Sequence, residues 1–268
     1  MHIDFAKGHG TRNDFVLFAD PDNLYELTDD QVRFLCDRRG GIGADGILRV
    51  VRSELVPGHE HDDAHWFMDY RNADGSIAEM CGNGLRVFVR YLAEEGLASG
   101  PLVTVATRAG LRTGRFLPDG RVAVTMGPVR VGETVVLRLG TDSWRARRVD
   151  VGNPHAVADV SSVRTLVDLD LTHTPTWHPA DAFPHGVNAE FVVRQGPGHL
   201  RLRVHERGVG ETCSCGTGVV AAAAAMGDAA HCVVDVPGGT LEVDLDGEEA
   251  VLTGPAEIVA RGTCTLPS

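Results

Sequence analysis

The sequence predicts an α+β fold, with mixed or antiparallel strands wrapped around one central helix in each of two similar halves. Residues 219–226 read Val-Val-Ala-Ala-Ala-Ala-Ala-Met, small and apolar on every side, as in a helix that runs through a core. A second mostly apolar run, Leu85, Val87, Phe88, Val89, Tyr91 and Leu92, closes at Glu94-Glu95-Gly96. Both runs are entered through one motif, Cys81-Gly-Asn-Gly84 before the earlier and Cys215-Gly-Thr-Gly218 before the later.

Laying Cys81 on Cys215 aligns more than the motif. Asn72 falls on Glu206, Gly82 on Gly216, Asn83 on Thr217 and Gly84 on Gly218. Further upstream, Gly-Thr-Arg-Asn13-Asp-Phe-Val is echoed by Val-Gly-Asn153-Pro-His-Ala-Val. One Cys-Gly-x-Gly is a weak signal, but two with matching flanks indicate a duplicated architecture.

The elements follow in order. Ile3 to Lys7 and Phe15 to Ala19 read as strands around a turn at residues 9–14, where Asn13 is either a turn residue or a side chain lent to a ligand. Thr28 caps a helix from Asp29 to Asp37, with Cys36 buried. The glycine-rich stretch 40–46 lacks the strand before it and the helix after it that a dinucleotide loop needs, and leads into a strand at Ile47 to Val51. Residues 57–65, with His59, His61 and His65, read as a solvated hairpin tip rather than a metal site. Trp66 to Tyr70 is a strand that delivers Asn72 and Cys81. Leu102 to Thr107, Leu111 to Leu117 and Arg121 to Met126 are strands, with a sharp turn at 118–120 taken as the crossover between the halves.

In the second half Thr134 to Leu139 and Arg145 to Val151 are strand-like, and Gly152-Asn-Pro-His155 is a turn at a strand end. Residues 163–171 and 181–183 resist assignment. Val187 to Val193 and Leu200 to His205 pair around Gly196-Pro-Gly198. Cys232 to Val236, Thr240 to Leu245, Ala250 to Gly254 and Glu257 to Ala260 are the final strands. The expected lobes are 1–118, joined by 255–268 returning to it, and 119–254.

Composition narrows the function. With 268 residues and 43% hydrophobic content the chain can build substantial cores. The N-terminus lacks a signal-peptide pattern and no stretch has the length of a membrane span, so a cytoplasmic protein is expected. Six cysteines there are reduced thiols and not a disulfide framework. A formal charge of −12 speaks against a nucleic-acid partner. Lys7 is the only lysine and has the context of neither a pyridoxal-phosphate Schiff base nor a Walker loop. Any amino-acid chemistry is therefore expected to need no cofactor, and no metal is expected.

The chain resembles the diaminopimelate epimerase family. The residues that carry the resemblance are Arg71-Asn-Ala-Asp-Gly-Ser76 leading to Cys81-Gly-Asn-Gly84, then Gly152-Asn-Pro-His155, then Glu206-Arg-Gly-x-Gly-Glu211 leading to Cys215-Gly-Thr-Gly218. It runs from Phe5 to Gly262 and implies two pseudo-symmetric lobes, each a strand barrel around a helix, with the active site in the cleft between them. It implies interconversion of LL- and meso-diaminopimelate, on the route to lysine and peptidoglycan. Cys81 and Cys215 would be the catalytic acid–base pair. Gly82, Asn83, Gly216 and Thr217 would give N–H groups to the carboxylate at the reacting centre. Asn13, Asn72, Asn153, Asn188, Arg207 and the Glu206 carbonyl would hold the rest of the substrate. His155 and the Glu206 carboxylate would tune the thiols. The resemblance allows a homodimer. Two positions depart from the family pattern: Gly46, where many members have a pocket glutamine, and Ala260, where some place a dimer-contact tyrosine.

The residue types suit that chemistry. Inverting an α-carbon means removing a hydrogen from one face and delivering one to the other, which two opposed groups do without turning the substrate over. A thiol has an ordinary pKa of about 8.5, and the exposed amides and dipole of a helix start bring it closer to neutrality. The same amides attract a carboxylate. Cys213 has no counterpart in the first half and is expected to be structural. A zinc site built on Cys213, Cys215 and His205 is disfavoured, because ligands one residue apart suit a tetrahedral site poorly.

Overall fold

The computed structural model describes residues 2–227 and 229–267. The chain folds as two compact units, one of Met1–Val124 with Gly254–Ser268, the other of Thr125–Thr253.

In the first unit Glu257–Thr265 pairs antiparallel with His2–Gly10, which pairs antiparallel with Asn13–Ala19. That strand runs parallel to Gly46–Arg52, which turns back antiparallel into Trp66–Asn72. Trp66–Asn72 is parallel to Leu102–Thr107, and Gly110–Phe116 and Val122–Gly127 follow antiparallel. In the second unit Arg130–Leu139, Asp142–Asp150 and Pro154–Asp159 pair antiparallel in turn. Pro154–Asp159 is parallel to Asn188–Gly196, which is antiparallel to His199–Glu206. His199–Glu206 is parallel to His231–Val236, and Gly239–Asp244 and Ala250–Gly254 follow antiparallel. The succession of pairings is the same in both units, so the repeat in the motifs is also a repeat in topology.

Parallel neighbours need a crossover, and each crossover here holds a helix. The first unit uses α1 (Asp29–Cys36) and α2 (Gly82–Glu94); the second uses α3 (Val163–Asp168) and α4 (Gly216–Met226). Helix α1 starts in the expected way: the Thr28 hydroxyl accepts from Gln31 N–H while the Gln31 side chain accepts from Thr28 N–H, a reciprocal cap.

Helices α2 and α4 are the central ones. Along α2, Gly82 to Val89, Tyr91 and Leu92 are all buried; on α4, Gly216 to Ala223 and Met226 are. Close approach to α2 depends on glycine: a Cβ at Gly8 would lie 2.7 Å from Val87 Cγ1, and one at Gly114 would lie 2.4 Å from Val89 Cγ2. Helix α4 ends at Gly227, whose φ of 63° is the left-handed cap that glycine adopts without strain.

The structure refines several expectations. The first hairpin turns at Thr11–Arg12, with Gly10 paired to Asn13 and φ of 51° and 66° at the two turn residues. A two-residue loop with both φ positive matches the twist of its strands. Residues 163–171, unassigned from the sequence, contain α3, capped by the Ser162 hydroxyl on Thr165 N–H. His155 belongs to the strand Pro154–Asp159 rather than to a turn. Residues 57–65 do lie in the connection of an antiparallel hairpin, where His59 pairs with Asp62 at 2.8 Å. Among the described residues no helix is long and apolar enough to cross a membrane, and no group of three or more His, Cys, Asp or Glu is arranged to hold a metal ion.

Candidate active site

Each central helix begins on a cysteine. Cys81 is the N-cap of α2, extended at φ −138° and ψ 120°, and its sulfur accepts the Gly84 N–H at 3.4 Å. Cys81 Sγ lies 3.5 Å from Asn13 Oδ1, and that oxygen also receives Asn83 Nδ2–H at 3.4 Å. Asn13 is turned this way by Asp45, which accepts its Nδ2–H at 2.8 Å. Arg38 holds Asp45 at 2.7 Å and grips Asp14 with both terminal nitrogens. Burial would raise the Asp14 carboxyl, but hydrogen bonds from Arg38 and Lys7 outweigh it and hold Asp14 well below the usual carboxylate range. Lys7 pairs with Asp14 at 2.7 Å and also donates to the Gly43 carbonyl. The single lysine thus supports the loop that carries Asn13.

Asn72 ends the strand Trp66–Asn72. Its Oδ1 accepts the Tyr70 hydroxyl at 2.8 Å and its Nδ2–H reaches Ser76 Oγ at 3.0 Å. The tight turn that follows is closed by Asp74, which accepts from Ser76 N–H and Oγ–H at 2.8 and 2.6 Å.

In the second unit Cys215 is the N-cap of α4 and its sulfur lies 3.4 Å from Thr217 Oγ1. Burial pushes this thiol well above its ordinary pKa, and the Glu206 and Glu190 carboxyls add to the rise; the Thr217 hydroxyl opposes it. Thr217 accepts Asn153 Nδ2–H at 3.3 Å, so Asn153 Oδ1 faces His155 Nε2, at 2.9 Å. The other ring nitrogen, Nδ1, meets Glu190 Oε1 at 2.7 Å, and both side chains are fully buried. Burial raises the Glu190 pKa, with His155 pulling the other way. Among the described residues Glu190 Oε2 has no hydrogen-bond partner.

Glu206 ends the strand His199–Glu206 and accepts the Thr212 hydroxyl at 2.5 Å. Asn188 ties the turn after Glu206 to the start of the strand Pro154–Asp159, accepting Arg207 N–H at 2.9 Å and donating to the Pro154 carbonyl at 3.4 Å. Arg207 is exposed, with Nη1 3.3 Å from the His185 carbonyl, and its stem lies over Gly186, where a Cβ would be 2.9 Å from Cδ.

The sequence model of one family, diaminopimelate epimerase, matches residues 5–132 and 147–259. The chain belongs to the diaminopimelate epimerase family. It is 49% identical to a diaminopimelate epimerase of Streptomyces coelicolor over 97% of this chain and 94% of that one. It is 49% identical to the Thermobifida fusca enzyme of the same name, with 98% of each chain covered, and 46% identical to that of Corynebacterium glutamicum, again with 98% of each. Two solved structures show the same fold at low identity. One is a phenazine biosynthesis protein of the PhzF family from Bacillus anthracis, with TM-score 0.72 and 16% identity over 99% of this chain and 100% of that one. The other is a hydroxyproline epimerase from Agrobacterium vitis, with TM-score 0.69 and 15% identity over 98% and 92%.

Within this member of the diaminopimelate epimerase family, the structure gives a reason for Gly46. A Cβ there would lie 2.6 Å from the Arg71 carbonyl oxygen and 2.9 Å from Tyr70 Cε2, so the Tyr70 ring fills the space and its hydroxyl serves Asn72 instead. Sequence reasoning missed Glu190. The available signal was one acid inside the otherwise apolar run Val187 to Val193, where both strand faces are buried. Cys213 corrects the expectation of a structural thiol: it is exposed, and among the described residues only its backbone is engaged, the carbonyl accepting from Gly238 N–H.

Proposed function

We propose that the protein is a cofactor-independent isomerase that interconverts LL- and meso-diaminopimelate, with Cys81 and Cys215 as base and acid on opposite faces of one α-carbon. The thiolate of one cysteine takes the α-hydrogen. The electron pair left behind spreads into the adjoining carboxylate, and the other cysteine delivers its S–H proton to the opposite face. The two sulfurs end with their charges exchanged and the carbon inverted.

The observation that carries this reading is the repeated placement of a thiol as N-cap of a buried central helix, in a chain of this family. Proton transfer by positioned groups supplies about 10²- to 10⁴-fold. The remainder comes from stabilising charge on the carboxylate, where a preorganised donor is worth about 3–4 kcal/mol. The N–H groups of Gly82, Asn83, Gly216 and Thr217, at the starts of α2 and α4, supply such donors. Asn13, Asn72, Asn153 and Asn188 hold the rest of the substrate, Asn188 through its second amide hydrogen, together with the Glu206 carbonyl. Arg207 offers a planar fork to the distal carboxylate. His155, through Asn153 and Thr217, and the Glu206 carboxylate tune Cys215.

The product serves lysine and peptidoglycan precursor synthesis in the cytoplasm. The protein acts on this small molecule without nucleic-acid or membrane partners, as a monomer or a homodimer, which sedimentation distinguishes. The test is a coupled assay with LL-diaminopimelate beside proline, hydroxyproline, histidine and lysine. Turnover of diaminopimelate alone is expected. Preference for one of the others would replace the substrate assignment.

A further inference from the structure

Close to Cys81 in the chain, and outside the repeated motif, lies a buried cation. Arg86, on the second turn of α2, is a fully buried side chain. Its guanidinium folds back along the helix toward Cys81, donating from Nη2 to Asn83 Oδ1 at 2.7 Å and to Thr11 Oγ1 at 3.4 Å. Nη1 reaches the Gly82 carbonyl at 3.4 Å and Nε the Pro255 carbonyl at 3.3 Å. Gly10 walls it in, for a Cβ there would lie 3.0 Å from Nη2. All these acceptors are neutral, and among the described residues no carboxylate oxygen comes within 4.0 Å of the guanidinium. A buried charge without a partner is costly. Burial draws the Arg86 pKa down to about 10, and the Cys81 sulfur is the charge that works against that fall. Arg86 therefore stays cationic at neutral pH.

The carboxylates behind Asn13 are already matched. Asp45, which holds Asn13, is paired with Arg38, and Asp14 beyond it with Arg38 and Lys7. Cys215 faces the reverse situation: burial, Glu206 and Glu190 all disfavour a sulfur anion, and the buried His155 beside them is engaged by Glu190.

We infer that Arg86 is the counter-charge of Cys81, a positioning residue that lets this sulfur be an anion inside the fold, so that the free protein carries its thiolate on Cys81 and its proton on Cys215. Cys81 is then the base for whichever stereoisomer presents its α-hydrogen to the first unit. After that turnover the charge stands on Cys215, where the surroundings favour taking a proton back. This inference rests on the two-thiol reading, but its test uses no substrate.

The full-length protein is alkylated with iodoacetamide from pH 5 to 10, digested, and the modification of each cysteine followed by mass spectrometry. The pH at half-maximal rate is compared, because absolute rates also reflect access, and exposed Cys213 serves as the internal reference. The expected order of midpoints is Cys81 below Cys215. Arg86→Gln should raise the Cys81 midpoint by about one unit, a roughly two- to fivefold loss of its rate at pH 7, and leave the Cys213 profile unmoved. Arg86→Lys, which keeps the charge, should stay close to the parent. A parent midpoint for Cys81 at or above that of Cys215 overturns the inference, as does a folded Arg86→Gln with an unchanged Cys81 profile. Should Arg86→Gln not fold, the parent order and Arg86→Lys decide. A low Cys81 midpoint in a protein that does not turn over diaminopimelate would instead reject the substrate assignment.

Discussion

Gly84 and Gly218 occupy equivalent places, each three residues after its cysteine, yet alanine should be tolerated at one and not at the other. At Gly218 a Cβ would lie 2.6 Å from Glu190 Oε1 and 3.3 Å from Glu190 Cδ. Glu190 is fully buried and bonded to His155 at 2.7 Å, so it cannot move aside without breaking that bond. Overpacking of this kind costs about 1–3 kcal/mol, and leaving His155 without its partner about 1–3 kcal/mol more. The better helix propensity of alanine returns about 1 kcal/mol. Gly218→Ala should therefore lose about 3 kcal/mol, which for a chain of this size lowers the melting temperature by roughly 6–12 °C. At Gly84 the neighbours are Phe15 Cζ at 3.3 Å, Leu48 Cδ2 at 3.4 Å and Cys81 Cβ at 3.5 Å. Two of these are ends of side chains that give by a few tenths of an ångström, and the helix gain offsets the strain. Gly84→Ala should melt within about 3 °C of the parent. Differential scanning calorimetry of both variants settles the matter. A Gly218→Ala protein that melts within about 2 °C of the parent, or below which Gly84→Ala falls, would show that Glu190 is not held as described.

Asp69, buried between Arg49 at 2.9 Å and Arg108 at 2.5 Å, sets part of the acid limit. Burial alone would raise its carboxyl, but the bond from Arg108 and the Arg49 charge leave it lowered. Its contribution is thus complete above the ordinary value of about 3.9 and is lost as pH falls through the lowered one. Asp69→Asn should lose about 3–5 kcal/mol at pH 7 and less at pH 2 to 3; urea unfolding across pH would contradict this if the loss were the same throughout. Arg207→Met removes a charge-assisted bond worth about 1.5–3 kcal/mol, so preference for substrates with a distal carboxylate should fall roughly 10- to 100-fold. Unchanged kcat/KM ratios between diaminopimelate and lysine would place that carboxylate elsewhere.

Much of this was legible because it was local. The starts of α2 and α4 follow from Cys-Gly-x-Gly before an apolar run, and the start of α1 follows from Thr28. What escaped was non-local. Pro154–Asp159 is a strand because Asn188–Gly196 and Asp142–Asp150 flank it, partners that no spacing within its own residues reveals. The role of Glu190 depends on His155 across that same pairing, where His155 is in register with Asn188. Arg86 has the simplest signal, a lone cation among Leu85, Val87 and Phe88. A helical residue of that type is ordinarily on a solvated face, and only the burial of every side of this turn shows otherwise.

The claim on which the account depends is that both sulfurs act on a single carbon. Cys81→Ala and Cys215→Ala, each shown to be folded by circular dichroism, are incubated with LL-diaminopimelate in deuterium oxide, and the meso isomer is quantified by chiral chromatography beside the parent. The parent should form meso product carrying deuterium at the inverted carbon, while either variant should fall below a few per cent of its rate. If one of the variants keeps epimerising at a substantial fraction of the parent rate, the opposed-thiol mechanism is wrong.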